Sequence, residues 1–157
     1  MNENRHATAS TPTDTASETG WLDVDALNAN LGALGDRMGI HFIESSLERA
    51  VATMPVAGNT QPYGILHGGA SVVLAESVGS MFAVNHAGAG RAAVGMSINA
   101  IHHRPASSGS VTATATVLAK GRTTISLQIA VDDDAGKRVC TCTLMCQLRD
   151  APPVKNA

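Results

Sequence analysis

His67-Gly-Gly-Ala-Ser-Val-Val-Leu-Ala-Glu-Ser-Val-Gly-Ser-Met-Phe-Ala-Val-Asn85 is the stretch around which the rest of the chain has to be built. Paired glycines open it and Gly88 and Gly90 follow its end. Between them nearly every side chain is small or apolar, so the spacing predicts one long helix. A helix that is apolar nearly all round needs cover on most of its sides.

The flanking sequence supplies that cover. Downstream, Ala92 to His103, Gly109 to Ala119, Thr123 to Asp132 and Lys137 to Leu148 read as strands. Pro105-Ala-Ser-Ser-Gly109, Lys120-Gly121 and Asp132-Asp-Asp-Ala-Gly136 give the turns between them. Upstream, Ile40 to Ser46 and Glu48 to Val56 form a strand pair closed by Gly58-Asn59. Before these, Leu22, Val24, Leu27, Leu31 and Leu34 recur near helical spacing, with Asp23 as cap and Gly35 or Gly39 as stop. The expected class is α+β, a long central helix wrapped by a curved antiparallel sheet of about five or six strands. Residues 1–20 are rich in Thr, Ser, Ala, Asn and Asp and are expected to be a disordered tail, residues 21–150 one domain, and 151–157 a second tail.

At 157 residues the chain holds one ordinary core, and 11 Lys and Arg against 13 Asp and Glu leave it near neutral. No basic block points to nucleic acid or to a membrane surface as partner. The N-terminus lacks the charged-then-apolar order of a signal peptide, so a cytoplasmic protein is expected. Cys140, Cys142 and Cys146 lie on one face of a strand, two apart at the nearest, at roughly 7 Å and beyond easy disulfide reach. A metal site there lacks a nearby fourth ligand; small buried hydrophobes are the expected reading.

Glu76 is the only Asp, Glu, Lys or Arg between Ala50 and Gly90. A desolvated carboxylate in such a helix is tuned for general-base or nucleophilic work; the bland alternative is a wet helix face or a structural pair with Arg91 or Arg104. Gly68 and Gly69 stand where the first helical N–H groups have no intrahelical partner, a place ready to hold an oxyanion, or else a turn needed only for packing. Eight residues of helix separate Gly68 from Glu76 by about 12 Å, too far to flank one carbonyl within one chain. If both serve one reaction, two helices must run antiparallel across a two-fold axis and share sites between subunits.

Gln61-Pro-Tyr-Gly-Ile-Leu-His-Gly-Gly-Ala-Ser-Val-Val-Leu-Ala-Glu-Ser77 and Gly95-Met-Ser-Ile-Asn-Ala-Ile-His-His-Arg104 resemble the hotdog thioesterases. The similarity is to the branch with Glu on the central helix, which includes 4-hydroxybenzoyl-CoA, 1,4-dihydroxy-2-naphthoyl-CoA and enterobactin proofreading thioesterases within the wider PaaI-like group. It implies an acyl-CoA thioesterase, with an aromatic acyl group expected, assembled as a dimer of dimers and using no cofactor and no metal. Glu76 would be nucleophile or general base, the Gly68 N–H the oxyanion donor aided by Gln61 and His67, and Ser80 the residue that places water or orients the carboxylate. His102, Arg104, Gly121, Arg122 and Thr123 match the positions that hold the CoA phosphates, chemistry that suits Arg and a Thr hydroxyl. The alternatives are packing for Ser80, turn and cap roles for Gln61 and His67, and solvated loop-end charges for the two arginines. His102 and His103 are neighbours on a strand, so they face opposite ways and do not chelate one metal. No Gly-x-Ser-x-Gly elbow supports a serine hydrolase, and a hotdog hydratase would pair Asp with His in a different helix motif. A non-catalytic acyl-CoA-binding module is the remaining reading.

Overall fold

The computed structural model describes residues 20–151, so apart from Gly20 and Ala151 the two expected tails lie outside the described residues. Along the chain come α1 (Val24–Ala29), α2 (Gly32–Met38), β1 (His41–Ser45), β2 (Ala50–Pro55), α3 (Gly68–Ala87), β3 (Arg91–His102), β4 (Ser110–Lys120), β5 (Thr124–Asp133) and β6 (Arg138–Asp150). The strands form one sheet in the order β1-β2-β4-β5-β6-β3, antiparallel at every pairing. The chain crosses the sheet through α3, which packs against β2 to β6, and this is the hotdog arrangement the sequence led us to expect.

Alternation on the strands builds the floor under α3. Ile125, Leu127, Ile129 and Val131 on β5 and Cys140, Cys142, Leu144, Cys146 and Leu148 on β6 turn inward. They meet Leu74, Ala75, Val78, Phe82 and Ala83 of the helix. A Cβ on Gly79 would come within 2.6 Å of the Leu144 side chain, so glycine sets how closely the helix lies on the sheet. Each fully buried Leu or Phe here contributes roughly 1.5–3 kcal/mol of transfer free energy.

The cover over α3 is incomplete. Val72, Val73, Glu76, Ser77, Ser80, Met81 and Val84 keep some exposure and form a continuous stripe at helical spacing. The outer strands of the sheet are β1, whose Phe42 is hydrogen-bonded by the Asn28 side chain of α1, and β3, which among the described residues has no strand on its outer side and carries exposed Val94, Met96 and Ile101.

Two details differ from expectation. The N-terminal helical pattern is split: Asp23 caps α1 by accepting from the Ala26 N–H, but the Asn30 side chain donates to the Ala26 carbonyl and Gly32 takes φ 71°. That ends α1, and α2 then stops at Gly39 in the left-handed region. The three cysteines are free and buried as expected, yet Cys140 and Cys142 lean together until their sulfurs are 3.7 Å apart. Burial, first among the causes, pushes the Cys142 thiol up to about 12, so it is no nucleophile at neutral pH. Among the described residues no group of His, Cys, Asp and Glu could hold a metal ion, and no helix is long and apolar enough to cross a membrane.

Candidate active site

The first turn of α3 is held by its neighbours. His67 is the helix cap, its Nδ1 accepting from the Gly69 N–H at 2.8 Å. With Nδ1 accepting, the neutral ring carries its proton on Nε2. The Leu66 N–H donates to the Ala106 carbonyl, the His67 N–H to that of Asn59, and the Ala70 and Ser71 N–H groups to that of His67. Of these consecutive N–H groups, that of Gly68 is left among the described residues to meet a ligand. A Cβ at Gly68 would stand 3.1 Å from His102 Nε2, so the His102 imidazole lies directly against this turn and would have to give way to any larger residue there.

In front of the turn opens a cavity of about 520 Å³. Gln61, Gly68, His102 and Arg104 share its wall, so four of the residues singled out from sequence are brought together. Ser71, which sequence reasoning passed over, also lines the cavity although the residue is only 1% exposed. Being i+3 from Gly68, it was placed on the same helix face, but serine in a packed helix carried no signal of its own.

Glu76 is elsewhere. Its carboxylate rests over Gly95 of β3, where a Cβ would be 3.3 Å from Oε1. Beside it lie Ser80 and Cys146: burial raises the Cys146 thiol, the Ser80 hydroxyl opposes that by hydrogen bonding, and the Glu76 charge adds to it. The burial expected for Glu76 is absent within one protomer: Leu74, Ala75 and Val78 turn into the core, but Val72, Val73 and Met81 share the open stripe with the carboxylate, and Glu76 is exposed. Neither Arg91 nor Arg104 pairs with it. Arg91 instead donates through Nη2 to the carbonyls of Arg122 and Leu148, at 3.3 and 3.1 Å. Gly95 was legible only as a glycine inside a strand, a recognised mark of close approach.

The five residues expected to meet CoA phosphates fall into two groups. His102 ends β3 and Arg104 lies two residues beyond it, whereas Gly121, Arg122 and Thr123 form the β4–β5 turn near the start of β3, closed by the Gly121 N–H on the Thr124 carbonyl. Along β3, from Arg91 to His102, that is roughly 35 Å. His103 lies just past the end of β3 with Nε2 3.0 Å from Thr141 Oγ1, and it lines the same cavity as His102.

Helix and strand are thus antiparallel partners with matched ends, Gly68 against His102 and Glu76 against Gly95. Among the described residues no carboxylate lines the cavity in front of Gly68, and Glu76 stands about 12 Å further along the same helix.

The chain matches the thioesterase superfamily model over residues 63–140. It is 42% identical over 125 residues to the proofreading thioesterase EntH of Klebsiella pneumoniae, covering 78% of this chain and 91% of that one. The structure is similar to that of a thioesterase of Haemophilus influenzae, with a TM-score of 0.79 at 35% identity over 82% of this chain and 92% of that one. A thioesterase variant of Pseudomonas aeruginosa superposes with a TM-score of 0.78 at 39% identity, over 83% of this chain and 96% of that one.

Proposed function

The chain belongs to the thioesterase superfamily and is a hotdog-fold thioester hydrolase, and from that premise we propose that it cleaves acyl-CoA thioesters, with an aromatic acyl group, at sites shared between two protomers. The observation that carries this reading is the matched pairing of helix and strand ends, Gly68 with His102 and Glu76 with Gly95, beside an unpaired β3 edge. A long exposed edge with apolar side chains is a template for a second copy. Antiparallel β3–β3 pairing also covers the open stripe of α3, turning Val72, Val73 and Val84 into walls around the carboxylate. The exposed Val94, Ile101 and Met145 on the outer face offer a surface for joining two such dimers.

In this arrangement the thioester carbonyl accepts from the Gly68 N–H of one protomer, at the positive end of its helix dipole. Glu76 of the other either attacks the carbonyl carbon, releasing CoA thiolate and leaving a mixed anhydride that water opens, or takes a proton from the water that attacks. Ser80 orients the carboxylate or the water, and Gln61 and His67 line the approach. His102 and Arg104 from one protomer and Gly121, Arg122 and Thr123 from the other then converge on one CoA, which reunites the two groups that stand apart in a single chain.

The test is release of free CoA from benzoyl-CoA, phenylacetyl-CoA and hexanoyl-CoA, followed with a thiol-reactive dye. Turnover of the benzoyl ester above the other two supports the aromatic assignment. Faster turnover of the aliphatic ester would refute it.

A further inference from the structure

At the opposite end of α3 from the Gly68 turn lies a second cavity, of about 540 Å³, lined by Trp21, Ser46, Leu47, Asn85, His86 and Lys120. Its size falls within the range of small-molecule sites, roughly 300–1,000 Å³. Its chemistry is one-sided. Lys120 is exposed and forms no ion pair among the described residues, and no acidic side chain lines the wall. The His86 Nε2 is buried without a hydrogen-bond partner. The ring itself is fixed, edge-on to Phe82 at 4.5 Å and to Trp21 at 6.0 Å between centroids. Asn85 is already committed, donating to the Leu22 carbonyl and Ser45 hydroxyl and accepting from the Leu22 N–H, so it holds the wall. A cation, an imidazole and an indole around one concavity are complementary to a planar ring bearing negative charge.

We infer that this cavity binds a ring-bearing organic anion, its charge meeting Lys120 and its ring lying among Trp21 and His86. Two sources carry that chemistry. Lys120 directly precedes the Gly121-Arg122-Thr123 turn, so one source is the adenine nucleotide end of a CoA thioester, a choice that rests on the function proposed above. The other is a free aromatic acid, which needs no catalysis at all. Burial, and then the nearby Lys120 charge, keep His86 neutral in the empty cavity, and an arriving anion relieves that repulsion.

Trp21 is the chain's single tryptophan and lines this cavity, so its fluorescence reports on what binds there. The intact protein is titrated with adenosine 3′,5′-bisphosphate and with benzoate, and with neutral adenosine and benzyl alcohol as controls. At least one anion should change the emission saturably, and its neutral counterpart should bind about tenfold more weakly. Saturation by the bisphosphate identifies the nucleotide source, and saturation by benzoate alone identifies a separate acid site. Lys120→Gln should weaken the anion about tenfold. Leu47→Asp, at a rim position 73% exposed and therefore safe for folding, should do the same by repulsion. No saturable response to either anion, equal binding of the neutral controls, or unchanged affinity in both variants overturns the assignment. Because the readout needs no turnover, absent hydrolysis with intact anion binding would count against the thioesterase reading alone.

Discussion

At its first turn α3 is held by its cap, by backbone bonds and by the His102 ring, whereas eight residues further on Glu76 stands on an open stripe near Gly95, Ser80 and Cys146. The first region is finished within one protomer: cap, backbone bonds and the His102 ring fix where the Gly68 N–H points. The second is unfinished, and in the arrangement proposed above its exposed carboxylate acquires walls when another copy covers the stripe. An oxyanion donor gains from rigidity, because it must already be aimed where charge will develop. A carboxylate that must act in a dry site can be completed by assembly instead.

Replacing the acting group in the unfinished region should have the largest effect. Glu76→Gln should lower kcat at least about 10²-fold with the fold kept, since the amide can neither attack nor accept a proton from water and the side chain has no ion pair to lose. Near wild-type turnover in a folded variant would end the proposed chemistry. The finished region should be sensitive for a different reason. Gly68→Ala places a methyl 3.1 Å from His102 Nε2, so the helix end or the ring must shift. We expect kcat to fall on the order of tenfold to 10²-fold, short of outright removal of an oxyanion donor. Unchanged kcat would show that the Gly68 N–H is not the group that matters.

Much of this contrast was legible in the sequence. The long helix, its Gly68–Gly69 start and the isolation of Glu76 follow from residue type and helical spacing alone. What was not legible depends on contacts between distant segments. The burial of Glu76 was expected from its apolar neighbours in sequence, but Leu74, Ala75 and Val78 point into the core while Val72, Val73 and Met81 lie with Glu76 on the open stripe. The close packing of His102 on Gly68 and of Glu76 on Gly95 arises from the antiparallel run of α3 and β3, which no local pattern encodes. The break between α1 and α2 was hidden because Asn30 ends a helix through a side-chain bond to a carbonyl, while the leucine spacing runs on across it.

Smaller effects should follow further from the reacting bond. Arg104→Ala and Arg122→Ala should raise KM for CoA esters about tenfold with kcat held, and should leave pantetheine thioesters nearly unaffected. Equal losses on both substrates would remove the phosphate role and the convergence of the two groups on one CoA. The smallest effect concerns the other end of the helix. Burial holds the His86 imidazole below its ordinary value, with the Lys120 charge adding to this. The unfolded chain therefore takes up the proton first. The stability that His86 contributes is complete above about pH 6.5 and is lost as pH falls toward the folded value. Urea midpoints at about pH 7.5 and about pH 5.5 should differ slightly in wild type and less in His86→Gln; an identical difference in both would contradict the assignment.

The sharing of sites between protomers is best tested by complementation. Glu76→Gln protein is mixed with the double variant Gln61→Ala, His67→Ala, each inactive alone, and subunit exchange is confirmed by mass spectrometry. Random reassortment makes about half the dimers mixed, and each mixed dimer holds one site with both lesions and one with neither. Activity should therefore return to roughly a quarter of the wild-type level. If exchange is complete and activity stays at that of the parents, Glu76 and the Gln61–Gly68 segment act within a single chain, and the two-fold arrangement is wrong.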